Sequence, residues 1–237
     1  MKAKRLIIVA ILLFVLVLAN SGSFKVKAND EYSQSYVDAY NLKHTQELLN
    51  EALDKAILLN KNNLSTRPKF SIDDVVAYSY TFDHYDFGSG FVNNKGYWIK
   101  SISANNPLPY PSPLTLTVNE IQALSGSVSV NAEITASLKS AIVSKIESKM
   151  GVTVTFYKSY ETGTQATYSI NVPAYQEWTI TAWYPSVSSS GTAYYKWIDT
   201  NGNTGITAKP CGAVTPRVAS SGFSLIYFDA HQGSTQP

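Results

Sequence analysis

Between Ser127 and Phe156 the chain carries two hydrophobic periods at once. Val128, Val130, Ala132, Ile134, Ala136, Leu138, Ile142, Ile146, Met150, Val152, Val154 and Phe156 are apolar and all occupy even positions, while nearly every odd position is Ser, Thr, Asn, Lys or Glu. Alternation of this kind describes a sheet with one wet face. Ile134, Leu138, Ile142, Ile146 and Met150 also recur every fourth residue, one stripe of an α-helix that would stop at Gly151. A single strand of this length would reach on the order of 100 Å, too long for a domain of this size. A hairpin would reverse near residues 139–145, where Gly, Pro, Asn and Asp are all missing. The pattern therefore predicts a strand over about 127–132, a helix over about 133–150 and a second strand over 152–160. Two amphipathic strands of membrane-spanning length remain as the alternative.

The rest of the chain sorts by the same test. Residues 30–62 place Tyr36, Tyr40, Leu48, Leu49, Ala52, Ala56 and Leu59 near one face and predict one amphipathic helix, with a break near His44 as the alternative. After Arg67-Pro68, short strands are expected, with a turn at Asn93-Asn94-Lys95-Gly96. "NNPLPYPSP", residues 105–113, has four prolines and reads as a connector. Beyond it "LTLTV", "TQATYSINV", "QEWTITAWY", "TAYYKWID" and "FSLIYFD" read as strands separated by "PA", "SVSSSG", "TNGNTG" and "SSG". Asn201-Gly202 is the sharpest hairpin signal. The expected fold is mainly β with helices (α+β), an antiparallel sheet or sandwich with an N-terminal amphipathic helix.

Composition narrows the setting. Lys2, Lys4 and Arg5 precede an apolar run from Leu6 to Ala19, and Val26-Lys27-Ala28 offers small residues for cleavage, so residues 1–28 read as a secretory leader. Without them, 14 basic residues face 17 acidic ones, a net charge of −3, and no basic cluster supports nucleic-acid binding. The expected division is leader 1–28, helical segment 29–67, short-strand region 68–104, connector 105–113, β-rich domain 114–230 and tail 231–237. Cys211 is the only cysteine, so no internal disulfide holds the fold and packing of the many aromatics must do so. It reads as a small, semi-buried residue, with a reactive thiol or intermolecular bridge as the alternative.

Candidate chemistry is sparse. Asp83, His84 and Asp86 lie within four residues and could converge on a cation from a loop, but no second ligand set accompanies them, and an exposed turn is the favoured reading. His44, His84 and His231 are scattered, and neither a Gly-x-Ser-x-Gly elbow nor a His-Glu-x-x-His helix is present. No catalytic, cofactor or metal-binding residues are assigned. Trp178, Trp183, Tyr184, Tyr194, Tyr195 and Trp197 on neighbouring predicted strands form a candidate aromatic contact surface for sugar rings or a lipid interface. Adjacent Tyr194 and Tyr195 cannot both point inward on a regular strand.

Asn106-Pro107, the Ser/Thr-rich alternating segment and "INVPAYQEWTITAWY" together resemble the pore-forming module of aerolysin-type β-pore-forming toxins, the epsilon-toxin and mosquitocidal-toxin group, over about residues 105–200. The segment is also similar to small uncharacterised secreted proteins of Gram-positive bacteria. The first resemblance implies homo-oligomerisation on a membrane and insertion of a β-hairpin, carried here onto residues 127–156. Its insertion residues would be Val128, Val130, Ile134, Leu138, Ile142, Val143, Ile146, Met150, Val152 and Val154. The expectation that leads is a secreted, non-enzymatic β-rich protein binding an envelope, glycan or protein surface. Pore formation stands second.

Overall fold

The computed structural model describes residues 25–28, 34–64, 77–121, 123–159, 161–219 and 225–234. The leader expected over 1–28 lies outside them except for its last four residues. In chain order the elements are β1 (Lys25–Ala28), α1 (Gln34–Leu64), β2 (Ala77–Asn105), β3 (Ser112–Ile121), β4 (Leu124–Ser125), β5 (Ser127–Val130), α2 (Ala136–Met150), β6 (Tyr157–Lys158), β7 (Glu161–Val172), β8 (Glu177–Asp199), β9 (Thr204–Pro216) and β10 (Tyr227–Gln232). Among the described residues the fold is mainly β, with antiparallel pairing and two helices, as the hydrophobic pattern predicts.

Its spine is β8, whose 23 residues reach about 75 Å. β2 runs along one side of it. On the other side β10 covers Trp178–Trp183 and β9 covers Ser186–Ile198, with β5 outside β9 and β1 outside β2. Two expectations are corrected here. "SVSSSG" does not divide two strands: Ser186, Ser189 and Ser190 are buried within β8, and Ser190 Oγ meets Ser89 Oγ at 2.7 Å. The short strands and the Asn93–Gly96 turn are one 29-residue strand, in which Asn94, Lys95 and Gly96 bulge out opposite Pro185. Proline donates no ladder hydrogen bond, so a bulge is where a long strand accommodates it. Likewise His231 and Gln232, expected in a tail, belong to β10.

The crease at Pro185 gives β8 two cores. Toward its N-terminal end, Ile180 and Ala182 pack with Ala104 against Leu114, Leu116, Val118 and Val172 of the separate β3–β7 ladder, which makes a sandwich. Toward its C-terminal end, Val187, Ala193 and Tyr195 pack with Tyr85, Cys211 and Ala213 under α2. α1 crosses the opposite face, with Val37 and Tyr40 set on Trp98 and Trp183. It runs unbroken through His44, whose Nε2 lies 3.0 Å from the Lys95 carbonyl and whose ring stacks on Tyr40. Buried Asn106 organises the proline connector, donating to the carbonyls of Tyr110 and Val172 and accepting from Leu108 N–H. The Asn201-Gly202 hairpin forms as predicted, with Gly202 at φ 82°.

Candidate functional site

Residues 122–160 are an excursion between the two strands of the β3–β7 ladder. Near its open end that ladder pairs Glu120 with Thr162 and Ile121 with Glu161. β4 and β6 then pair Leu124 with Lys158 and Ser125 with Tyr157, and Gly126 N–H donates to the Phe156 carbonyl at 2.8 Å. From Glu120 to Gly126 the partner numbers fall one for one as the strand numbers rise. The short β4–β6 sheet, separate from the β3–β7 ladder, thus keeps that ladder's register.

Past Gly126 the two arms separate. β5 leaves to pair with Cys211–Val214 of β9. The other arm is held by the Val154–Arg217 bridge, by Thr155 N–H on the Pro216 carbonyl at 3.1 Å, and by Val218 N–H on the Thr153 carbonyl at 2.8 Å. These contacts replace the continuous strand expected over 152–160, of which only β6 forms. Between the arms α2 is well delimited. Thr135 Oγ1 accepts from Leu138 N–H at 3.2 Å, and Gly151, at φ 67°, closes the last turn through its N–H to the Glu147 carbonyl. Local capping at both ends and a missing hairpin turn explain why the helical period wins here over the strand period.

The predicted insertion residues divide by packing. Leu138, Ile142 and Ile146 are fully buried, and Val154 nearly so. Val128, Val130, Val143, Met150 and Val152 are half-buried against the same core. Ile134 is exposed just before the helix. Tyr195 also holds the segment, its hydroxyl donating to the Glu133 carbonyl at 2.9 Å.

The aromatic row is not one exposed surface. Trp183, Tyr184 and Tyr195 are buried: Trp183 under α1, Tyr184 with Tyr97 and Leu124, Tyr195 under α2. Alternation separates adjacent Trp183 and Tyr184, but it does not foresee that the bulge opposite Pro185 puts Tyr195, an even number of residues from Trp183, under α2 and not α1. Trp178, Tyr194 and Trp197 stay half-buried. Tyr194 stacks on His84 at 4.3 Å and 9°, and Trp197 covers Gly205, where a Cβ would meet the indole at 2.5 Å.

The Asp83–Asp86 cluster lies on β2, not in a turn. A bulge between Phe82 and His84 turns the Asp83 carboxylate to Lys196 Nζ at 2.6 Å and His84 Nδ1 at 2.8 Å, while Asp86 lies 3.9 Å from His84 Nε2. Hydrogen bonding to Lys196, and then to His84, holds the Asp83 carboxyl below the usual carboxylate range. The network is a surface ion-pair tie between β2 and β8. Among the described residues no group of three or more His, Cys, Asp or Glu could hold a metal ion. Cys211 is fully buried among the side chains beneath α2, and burial pushes its thiol up to about 12, so it is inert while α2 stays docked.

No protein-family model matches the chain, and no curated protein does. One solved structure, described as a crystal structure of lamprey immune protein, is similar over 66% of this chain at 13% identity with a TM-score of 0.24. The chain spans about half of that one, 54% of its length. One feature in particular escaped the sequence reading. The shared register of β3–β7 and β4–β6 left no motif, and the one signal available was that both arms place their apolar residues on even positions.

Proposed function

We propose that this chain is an exported, non-enzymatic protein that acts on membranes, where several copies each unroll residues 122–160 into a hairpin extending the β3–β7 ladder. The observation that carries the reading is the unchanged register from Glu120–Thr162 through Gly126–Phe156. Continued, that register sets Val128 opposite Val154, Val130 opposite Val152 and Ala132 opposite Met150. Ser127 then faces Thr155, and Ser129 faces Thr153. Through these pairs apolar residues share one face and hydroxyls the other; towards the reversal at Ala141, Ser140, Ser144 and Ser148 interrupt the apolar face and Val143 falls on the polar one. Each arm beyond Gly126 has about 14 residues, more than the 9–11 that a tilted strand needs to cross a bilayer. An open hairpin edge in lipid is costly, so copies must close a barrel together. The closed form is held by three fully buried aliphatic side chains of α2, each contributing about 1.5–3 kcal/mol, so an encounter with lipid must offset several kcal/mol.

The test is dye release from phosphatidylcholine–cholesterol vesicles, with electron microscopy of the treated membranes. Release accompanied by ring-shaped oligomers is expected, and Ile142→Asp, which puts a charge beside the hairpin tip, should abolish it. A protein that stays monomeric and releases nothing from vesicles of neutral, anionic or glycolipid composition would refute the reading.

Recognition of an envelope, glycan or protein surface is a second reading. It is supported by the half-buried Tyr194, stacked on exposed His84 and flanked by Asp86 and Ile206 in an open depression of about 290 Å³. Tyr194→Ala should then weaken attachment to the target surface while Cys211 stays protected.

A further inference from the structure

Residues Cys211–Val214 of β9 are gripped from three directions. β5 occupies their outer edge, α2 covers Cys211 and Ala213 on one face, and α1 lies on the other face at Gly212. A Cβ placed on Gly212 would fall 2.7 Å from Leu53 N and 3.1 Å from both Ala52 C and Leu49 O. These are helix backbone atoms that cannot swing aside, so α1 sits at this depth only because residue 212 has no side chain. The same helix also contacts β5. α1 therefore touches both the strand that leaves when the hairpin unrolls and the strand it leaves from.

Its seat is thin away from the Trp98 and Trp183 anchor. Ala52 and Leu48 face Ser188, Ser189 and Ser190 across a cavity of about 260 Å³, and Ser188 Oγ is buried with no hydrogen-bond partner among the described residues. Along this stretch α1 buries only Leu49 and the small Ala52 and Ala56, so it gains less from apolar burial than at its aromatic anchor, and lifting it returns the unpaired hydroxyl to water. Leu42 and Leu58 lie exposed on its outer side. Such a contact is suited to release without loss of the sandwich core.

We propose that α1 is an autoinhibitory clasp: while docked on Gly212 it pins β5 to β9, and the hairpin segment comes free only when that part of the helix lifts. This rests on the hairpin reading, but its test needs no membrane. Cys211 lies beneath the segment and becomes reactive when the segment opens. In the full chain, labelling of Cys211 by an aromatic disulfide reagent, read by mass spectrometry at the Cys211 peptide, should accelerate on the order of tenfold in Gly212→Ala, because the methyl group overpacks the helix contact. A tether made by Leu59→Cys and Gly88→Cys is within reach, since a Cβ on Gly88 would lie 2.5 Å from Leu59 Cδ1. Oxidised, it should slow labelling by a similar factor relative to the same variant kept reduced. A Val172→Cys probe in a Cys211→Ala chain reports loosening of the sandwich core, where Val172 is fully buried, and its rate should not change when Gly212→Ala is added. Wild-type labelling in Gly212→Ala, an equal acceleration at Val172→Cys, or a tether without effect would each overturn the clasp. If the rates behave as stated and vesicles stay intact, the clasp stands and membrane insertion is what fails.

Discussion

Replacing Ile146 with alanine separates a detachable α2 from one welded to the core. Ile146 is fully buried against the Tyr85, Tyr195 and Cys211 cluster. Truncating such a side chain costs about 2–5 kcal/mol through lost transfer energy and the cavity left behind, and the better helix propensity of alanine returns only a few tenths. If α2 and β5 open as a unit short of global unfolding, the whole cost appears in the opening equilibrium. At about 1.4 kcal/mol per tenfold, Cys211 labelling should then accelerate between about 30-fold and a few thousand-fold. The closed protein adds little background at pH 8, because its thiol is held near 12, whereas an opened cysteine returns toward about 8.5. The readout is the labelling rate in native buffer, with Val172→Cys in a Cys211→Ala chain measured with and without Ile146→Ala. Ser148→Ala, on the exposed side of the helix, should change little. The reasoning is refuted if Ile146→Ala labels as slowly as wild type, or if Val172→Cys accelerates by the same factor, since the segment would then open only with the whole molecule.

Removing either helix stop should loosen the same unit: Thr135→Ala by about 1 kcal/mol and Gly151→Ala by about 1–2 kcal/mol, both read as faster Cys211 labelling and lower helicity by circular dichroism. Alkaline pH should destabilise the fold. Burial raises Cys211 to about 12 and pushes Tyr85 and Tyr97 upward as well. Between the unfolded values, about 8.5 for Cys and 10 for Tyr, and these raised folded ones, the unfolded chain binds fewer protons, so stability is complete below about pH 8.5 and is lost as pH rises. The thermal midpoint should fall between about pH 9 and 11, and Tyr97→Phe should flatten that fall; a midpoint constant over this range would contradict the burial argument.

What the sequence revealed was chiefly local. Thr135 and Gly151 bracket the helix, and Asn201-Gly202 forces its hairpin, because those residues act on their own backbone. What it hid depends on partners distant in the chain. Ser186–Ser190 look like a linker until α1 and β2 are seen to cover them within a strand. Trp183, Tyr184 and Tyr195 look like a surface row until α1, the Tyr97–Leu124 cluster and α2 each cover one of them, Tyr195 because the bulge opposite Pro185 reverses the alternation. Residues 152–156 carry a strand pattern, yet they run as an irregular arm because their edge is offered to Pro216–Val218 rather than to a sheet neighbour. Asp83 reaches its partners through a bulge that no spacing rule marks.

Because β8 and β9 come last among the long strands, an emerging chain makes its alternative structure available before the cradle that suppresses it. β3 and β7 can pair as soon as both have emerged, while the β9 edge that receives β5 is still to come. In that interval only the local caps at Thr135 and Gly151 favour the helix, because they act without partners distant in the chain. The caps at Thr135 and Gly151 thus matter most before the β9 edge exists. Their loss should therefore be felt as aggregation of the newly made chain as well as in the weakened finished protein.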